Sequence, residues 1–127
     1  NLNNWWTKED RENFEARTQK LIDQYSKYEA VPGITLNGEL TLGENIADLG
    51  GSKAAFRAYK ISLGGNPSPI IDNYTGEQRF FIGTAQSDRV KFRKEIAAMR
   101  VATDPHSPAR FRVDGVVINM KEFHQSF

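Results

Sequence analysis

Residues 43–51 read Gly-Glu-Asn-Ile-Ala-Asp-Leu-Gly-Gly, and this stretch carries the strongest signal in the chain. Glu44 and Asp48 are four positions apart, so on a helix both carboxylates lie on one face, about 6 Å apart along the axis. Two like charges so placed need a positive partner. A lysine or arginine on a solvated helix face is the commoner explanation. A metal ion with histidine ligands is the other candidate.

The residues around this acidic pair are small, because Gly43, Ala47, Gly50 and Gly51 flank it. A slim helix of this kind suits a crowded site. Each of the two adjacent glycines should cost about 1 kcal/mol relative to alanine in a helix interior. We therefore expect another backbone to approach the helix there, or the helix to kink.

Composition bounds the class of protein. The chain has 127 residues, with 17 Lys and Arg against 16 Asp and Glu, so its charge gives no support to a nucleic-acid or anionic-membrane partner. Cysteine is absent, which removes disulfides and thiolate chemistry. The only histidines are His106 and His124. Since catalytic zinc takes three protein ligands, this chain does not supply a convincing set alone.

Hydrophobic spacing predicts a mainly α chain with at most one very short hairpin. Thr7 and Thr75 are predicted N-caps, each followed three residues later by an acidic or amide side chain. Trp5 and Trp6 are expected in the core. The predicted helices cover residues 8–28 and 43–59, a segment opening at Thr75, residues 89–101, and a short segment opening at Asn119.

Turn-forming residues separate these helices. Asn37-Gly38, flanked by alternating residues, predicts the hairpin within residues 34–42. Residues 62–73 have the composition of a loop. The two prolines within residues 104–108 predict a rigid turn, because each restricts itself and the residue before it.

His106 lies in this rigid turn, with Asp104 two residues before it. A histidine held by prolines has a fixed direction, which suits a donor that meets developing negative charge. An exposed loop histidine is the commoner explanation of such a residue taken alone. Arg112 follows, and arginine clamps a carbonyl or carboxylate through two parallel bonds. Arg110 alternates with it, so we expect one of the two to face inward and the other to face solvent.

Taken together, these pieces form a more specific pattern. The 43–51 stretch, followed by Asp-Pro-His-Ser-Pro-Ala-Arg-Phe-Arg-Val at 104–113, resembles the C-terminal part of the neprilysin and endothelin-converting-enzyme family of zinc metallopeptidases. The bacterial endopeptidase O branch is the most similar in appearance. Further matching segments occur in the same order, so the resemblance covers nearly the whole chain; they lie at residues 5–7, 36–44, 58–59 and 122–127.

The resemblance implies a role for each candidate residue. Glu44 matches the third protein ligand of the catalytic zinc. Asp48 matches a carboxylate that orients a zinc-bound histidine. His106 matches the histidine that stabilises the tetrahedral intermediate, and Asp104 is expected to hold that histidine in place. Arg112 matches the arginine that grips the substrate backbone beyond the scissile bond.

The family's other zinc ligands and its general base lie on a helix with the pattern H-E-x-x-H, which does not occur here. Residues 1–127 are therefore expected to form a single partial domain, the C-terminal helical part of a zincin, or thermolysin-like, catalytic lobe. The intact parent would be a zinc endopeptidase acting on oligopeptides. The chain alone, without the remainder of the peptidase chain, is expected to lack zinc and activity.

Other implications concern partners and location. Apolar faces that meet the missing helices would be exposed and available for self-association. The bacterial branch implies an extracytoplasmic location, either periplasmic or surface-anchored. A non-catalytic helical interaction module is the alternative function.

One segment departs from the family pattern. The family usually carries Ala-Gln-hydrophobic-Trp, which lines the pocket for the residue after the cut, whereas this chain has Ala-Gln-Ser-Asp at 85–88. A carboxylate at Asp88 would move the preference of that pocket away from large apolar residues. The alternative is that the helix turns differently here.

Overall fold

The chain is mainly α-helical in its computed structural model, which describes residues 4–127. This confirms the predicted fold class. Within those residues the structure has six helices and one two-stranded antiparallel hairpin. In chain order they are α1 Lys8–Tyr25, β1 Glu29–Val31, β2 Ile34–Thr35, α2 Leu42–Ser62, α3 Gly76–Ser87, α4 Lys94–Thr103, α5 Ala109–Val117 and α6 Lys121–Ser126.

The hairpin lies earlier in the chain than predicted. Its strands β1 and β2 turn at Pro32-Gly33, where Gly33 adopts a φ of 80° that favours glycine. The predicted hairpin around Asn37-Gly38 is wrong. There the Asn37 side chain accepts hydrogen bonds from the backbone N–H groups of Glu39 and Leu40, which forms the turn that leads into α2.

Gly38 is required for close packing rather than for a hairpin. A Cβ atom added at Gly38 would lie 2.4 Å from the carbonyl oxygen of Ile22 and 2.6 Å from the Ser26 hydroxyl. Only glycine lets this turn lie directly on the end of α1.

The two predicted threonine caps are present. The Thr7 hydroxyl accepts from the backbone N–H of Asp10, and Thr75 forms a complete capping box with Gln78. Several predicted bounds are wrong by a few residues, since α1 ends at 25 rather than 28 and α4 begins at 94 rather than 89. The predicted cap at Asn119 is also wrong, because α6 follows Met120 and has no side-chain cap.

Helix α5 lies at the centre of the packing and joins two apolar clusters. Its residues Val116 and Val117 enter one cluster, and Phe111 enters the other. The first cluster is completed by Phe56, Phe81 and Met120, and the second by Tyr25 and Leu36. This helix therefore fixes α1, α2 and α3 relative to one another.

Two expectations about packing are corrected. Trp5 is 80% exposed, so it is not a core residue. Helix α2 runs unbroken through Gly50 and Gly51, and no described atom lies within 4 Å of a Cβ added at either position. Their small size therefore leaves one face of α2 open among the described residues. None of the helices described is both long and apolar enough for a bilayer crossing.

Candidate active site

Glu44 and Asp48 lie in the first two turns of α2, as their spacing predicts. Each carboxylate has its own partner in this chain. Glu44 faces His106, with 3.2 Å between Oε2 and the ring Nε2. Asp48 faces Arg112. The like charges are thus compensated by the two residues of the second motif, which α5 and the turn before it bring to α2.

Asp104 holds His106 at two points. Its Oδ1 accepts from the His106 backbone N–H at 2.9 Å and lies 2.9 Å from the ring Nδ1. Its other carboxylate oxygen pairs with Arg100 of α4. Chiefly the backbone hydrogen bond, and then the ring contact, hold the pKa of the Asp104 carboxyl below its usual value. Asp104 therefore stays ionised and fixes the direction of the imidazole.

A buried hydrogen-bond chain positions this turn against α2. The Ser107 hydroxyl donates to the Asn45 side-chain oxygen at 2.7 Å, and the Asn45 amide donates to the Thr41 hydroxyl at 3.0 Å. Asn45 is 1% exposed and Ser107 is 3% exposed. Because buried polar groups left without partners are costly, these bonds fix His106 near Glu44.

Sequence reasoning missed this positioning pair. Asn45 lies inside the acidic motif and Ser107 lies directly after His106, but neither was singled out. The available signal was an amide side chain one helical turn before Leu49, which packs against the core, because a buried amide needs a partner.

Arg112 and Asp48 form a two-point ion pair. The Arg112 Nε donates to Oδ2 at 2.8 Å, and Nη2 donates to Oδ1 at 2.7 Å. The pair is half-buried, and the hydrogen bonds that Arg112 donates to Asp48 are the main reason that the Arg112 pKa is raised above its usual value. Arg110 instead bonds Asp114 on the solvent side of α5. Of the two arginines, Arg112 is the one that faces inward.

A pocket of about 200 Å³ opens beside this pair. His106 and Arg112 both line it, and Asp88 at the end of α3 lies on its wall. The remaining lining residues are mostly apolar; they are Val90, Phe92, Ala97, Arg100, Val101, Ser107, Pro108 and Ala109. The pocket therefore places Asp88 close to two candidate residues of the 104–113 motif.

The described side chains could supply one part of a metal site, but not all of its ligands. Within residues 4–127 no group of three or more histidine, cysteine or carboxylate side chains is arranged to hold a metal ion. Glu44 is a suitable oxygen donor, since its side chain is 40% exposed and lies at the start of α2. A zinc ion bound by Glu44 would need its other ligands from outside the described residues.

Comparison with known proteins identifies the family. The model of peptidase family M13 matches residues 1–127. The chain belongs to peptidase family M13. It is 44% identical over 130 residues to human endothelin-converting enzyme 1 and 41% identical over 131 residues to neprilysin-3 of Drosophila melanogaster. Both alignments cover all of this chain, but only 17% and 16% of those relatives.

A solved structure has the same fold. The zinc metalloprotease Zmp1 of Mycobacterium tuberculosis, solved in complex with an inhibitor, superposes with a TM-score of 0.92 at 50% identity. The match covers 99% of this chain and 20% of Zmp1. The resemblance to the neprilysin and endothelin-converting-enzyme family is therefore confirmed, and this M13 chain spans about a fifth or less of the relatives it matches.

Proposed function

We propose that this chain is the C-terminal part of a zinc endopeptidase that hydrolyses oligopeptides. The observation that carries the proposal is the meeting of the two motifs: residues from 43–51 and 104–113 form one connected polar cluster. Glu44 contacts His106, and Asp48 contacts Arg112. Membership of family M13 supports the same class of activity for the longer protein.

Glu44 is the proposed protein ligand for zinc in this chain. Zinc, when bound, supplies a Lewis acid that polarises a peptide carbonyl and lowers the pKa of water. The role of Glu44 is to present a carboxylate oxygen to the zinc ion from a rigid helix. Its Oε2 lies 3.2 Å from the His106 ring and the side chain is 40% exposed, so the carboxylate is accessible to a metal ion.

Asp48 is proposed to orient a zinc-binding histidine from elsewhere in the longer protein. Each of its oxygens accepts one hydrogen bond from Arg112, and a carboxylate oxygen has a second lone pair. The remaining lone pairs are free to accept from a histidine N–H.

His106 is proposed to stabilise the oxyanion that forms when water attacks the peptide carbonyl. Asp104 accepts from Nδ1–H, so Nε2 donates to a substrate oxygen in the protonated form of the ring, in which both nitrogens carry a hydrogen. The His106 side chain is 42% exposed and lines the pocket, so a substrate can reach it. Because this donor is already held in position before the reaction, it stabilises the negative charge that develops on the oxygen without a cost of reorientation.

Arg112 is proposed to bind the substrate backbone beyond the scissile bond. Asp48 occupies Nε and Nη2, which leaves the outer N–H groups of the guanidinium for a peptide carbonyl. Since the ion pair fixes the plane of the guanidinium, the substrate meets an oriented donor rather than a mobile one.

The proposal is tested with the longer protein that carries this chain. We expect it to bind zinc, to cleave oligopeptides, to lose activity on chelation and to regain it on addition of zinc. Residues 1–127 alone are expected to bind no zinc and to cleave nothing. Cleavage by the short chain, or a zinc-free active parent, would overturn the proposal. If the short chain is inactive and the parent is too, a non-catalytic interaction module is the better explanation.

An extracytoplasmic location stays a prediction, which cell fractionation tests.

A further inference from the structure

The pocket beside Arg112 has the size of a site for one side chain. Its volume of about 200 Å³ lies below the roughly 300–1,000 Å³ of pockets that hold whole small molecules. His106 and Arg112 line the same pocket. On the proposed function, they contact the scissile carbonyl and the backbone beyond it. The side chain that enters between them is therefore that of the residue after the cut.

The positive groups that line this pocket are compensated. Arg112 is paired at two points with Asp48. Arg100 is paired with Asp104 and also lies over the Phe92 ring, 4.8 Å from its centroid. Neither guanidinium therefore presents a free positive charge to an entering side chain.

Asp88 differs from them because it makes no ion pair within 4.0 Å and no side-chain hydrogen bond in the part of the chain that the structure describes. It caps the C-terminus of α3 and is half-buried on the pocket wall. The basic side chains that follow it are exposed and do not line the pocket; they are Arg89, Lys91, Arg93 and Lys94. Asp88 is thus a pocket carboxylate with no direct partner among the described residues, and its longer-range attraction is to Arg112, whose guanidinium is bonded to Asp48.

We propose that Asp88 makes this pocket select a lysine or arginine side chain as the residue after the scissile bond. The aliphatic stem of such a side chain packs on the apolar wall formed by Val90, Phe92 and Val101, while its charged head pairs with Asp88. This specificity rests on the proposed peptidase function. It adds a substrate preference set by a residue outside the two motifs.

The test uses the zinc-loaded longer protein and peptides that differ only in the residue after the cut: lysine, leucine or glutamate. We expect kcat/KM to be highest for the lysine peptide. Asp88→Asn should lower the lysine-to-leucine ratio by about tenfold, as the loss of one charge-assisted hydrogen bond does. Asp88→Glu, which keeps the charge, should keep lysine preferred. Asp114→Asn, the same charge change on the solvent side of α5, should leave the ratio unchanged.

The outcomes separate the two proposals. A lysine-to-leucine ratio that is equal in the wild type and Asp88→Asn would overturn this inference, and so would a wild-type preference for leucine or glutamate. In either case, cleavage of the leucine peptide by every variant would still support the peptidase function. Absence of zinc-dependent cleavage of all three peptides would overturn both. Zinc content and melting temperature, measured for each variant, show that Asp88→Asn is folded and metal-loaded.

Discussion

Arg112 of α5 and Asp48 of α2 are joined by two parallel hydrogen bonds of 2.8 and 2.7 Å. This pair connects the two sequence motifs at the point where the proposed substrate would bind. It also explains why two carboxylates one helical turn apart are tolerated on α2, since each has a separate partner. A structural ion pair and a substrate clamp are thus combined in one arginine.

Replacement of Arg112 by lysine should weaken substrate binding. Lysine keeps the charge but offers one ammonium group, which does not reproduce the two-point geometry. In the longer protein we expect kcat/KM to fall by about tenfold or more, mainly through KM. Steady-state kinetics on one peptide measure this. Arg110→Lys is the matched control, because Arg110 pairs with Asp114 on the solvent side and does not line the pocket. Equal kinetics for the two variants would remove Arg112 from the substrate site.

Replacement of His106 by alanine should lower turnover far more than it weakens binding. Removing one preorganised oxyanion donor costs about a hundred- to a thousandfold in kcat. His124→Ala is the control, since that histidine is exposed on α6, where its ring contacts the Ile118 carbonyl oxygen and the neighbouring Phe123 ring. Measurement of kcat and KM separately decides the role. A turnover close to wild type in the His106 variant would contradict it.

Local signals were the ones that sequence could predict. The Thr75 capping box depends only on residues three apart, and the shared face of Glu44 and Asp48 depends only on helical spacing. Both are present in the structure. The contact between Asn45 and Ser107 joins residues 62 positions apart. No local sequence pattern predicts which residue becomes the partner of Asn45.

There are also physical reasons why helix α5 was not predicted and why the hairpin was predicted in the wrong place. Helix α5 is nine residues long and opens with arginine and phenylalanine in alternation, which is also typical of a strand. The hairpin was misplaced because Pro32-Gly33 and Asn37-Gly38 are both turn-forming pairs. Tertiary packing decides between them, since Gly38 must lie against the Ile22 carbonyl oxygen.

Replacement of Glu44 by glutamine should remove zinc from the longer protein. The amide keeps the size of the side chain but offers no negative charge. Loss of a partner that merely orients a metal ligand costs roughly 10–100-fold in affinity, so loss of a ligand should cost at least that. Atomic absorption after dialysis measures the metal. Glu95→Gln is matched to it, because Glu95 occupies the first turn of α4 and lies outside the site. Full zinc content in the Glu44 variant would refute the ligand assignment.

Glu77 should make stability depend on pH in acid. Its hydrogen bond from Lys60, followed by its own backbone N–H and the Ser68 hydroxyl, lowers its pKa from 4.5 to about 2. A folded-state pKa below the usual value means that the stabilisation is complete above pH 4.5 and is lost as the pH falls toward 2.

Glu77→Gln should therefore differ most from the wild type near neutral pH. The difference in melting temperature should shrink as the pH falls between about 4.5 and 2. Calorimetry of both proteins across this range measures it, with Glu9→Gln in the exposed first turn of α1 as the control. A difference that does not change with pH would show that Glu77 acts only through packing.

Gly115 should tolerate no side chain, because α1 and α5 approach closely there. A Cβ atom added at Gly115 would lie 2.7 Å from the hydroxyl oxygen and 2.8 Å from Cζ of Tyr25, which is 1% exposed and donates to the Phe111 carbonyl oxygen. Overpacking of this kind costs about 1–3 kcal/mol. Gly115→Ala should lower the free energy of unfolding by about that amount, measured by urea denaturation.

Gly83 provides the matched control on α3, since no described atom lies within 4 Å of a Cβ added there. Gly83→Ala should stabilise the helix by up to about 1 kcal/mol. Tyr25→Phe removes the hydroxyl that the new methyl group meets, so it should restore part of the stability lost in Gly115→Ala. If the two alanine variants are equally stable, or if Tyr25→Phe gives no relief, the contact between Gly115 and Tyr25 does not set the spacing of α1 and α5.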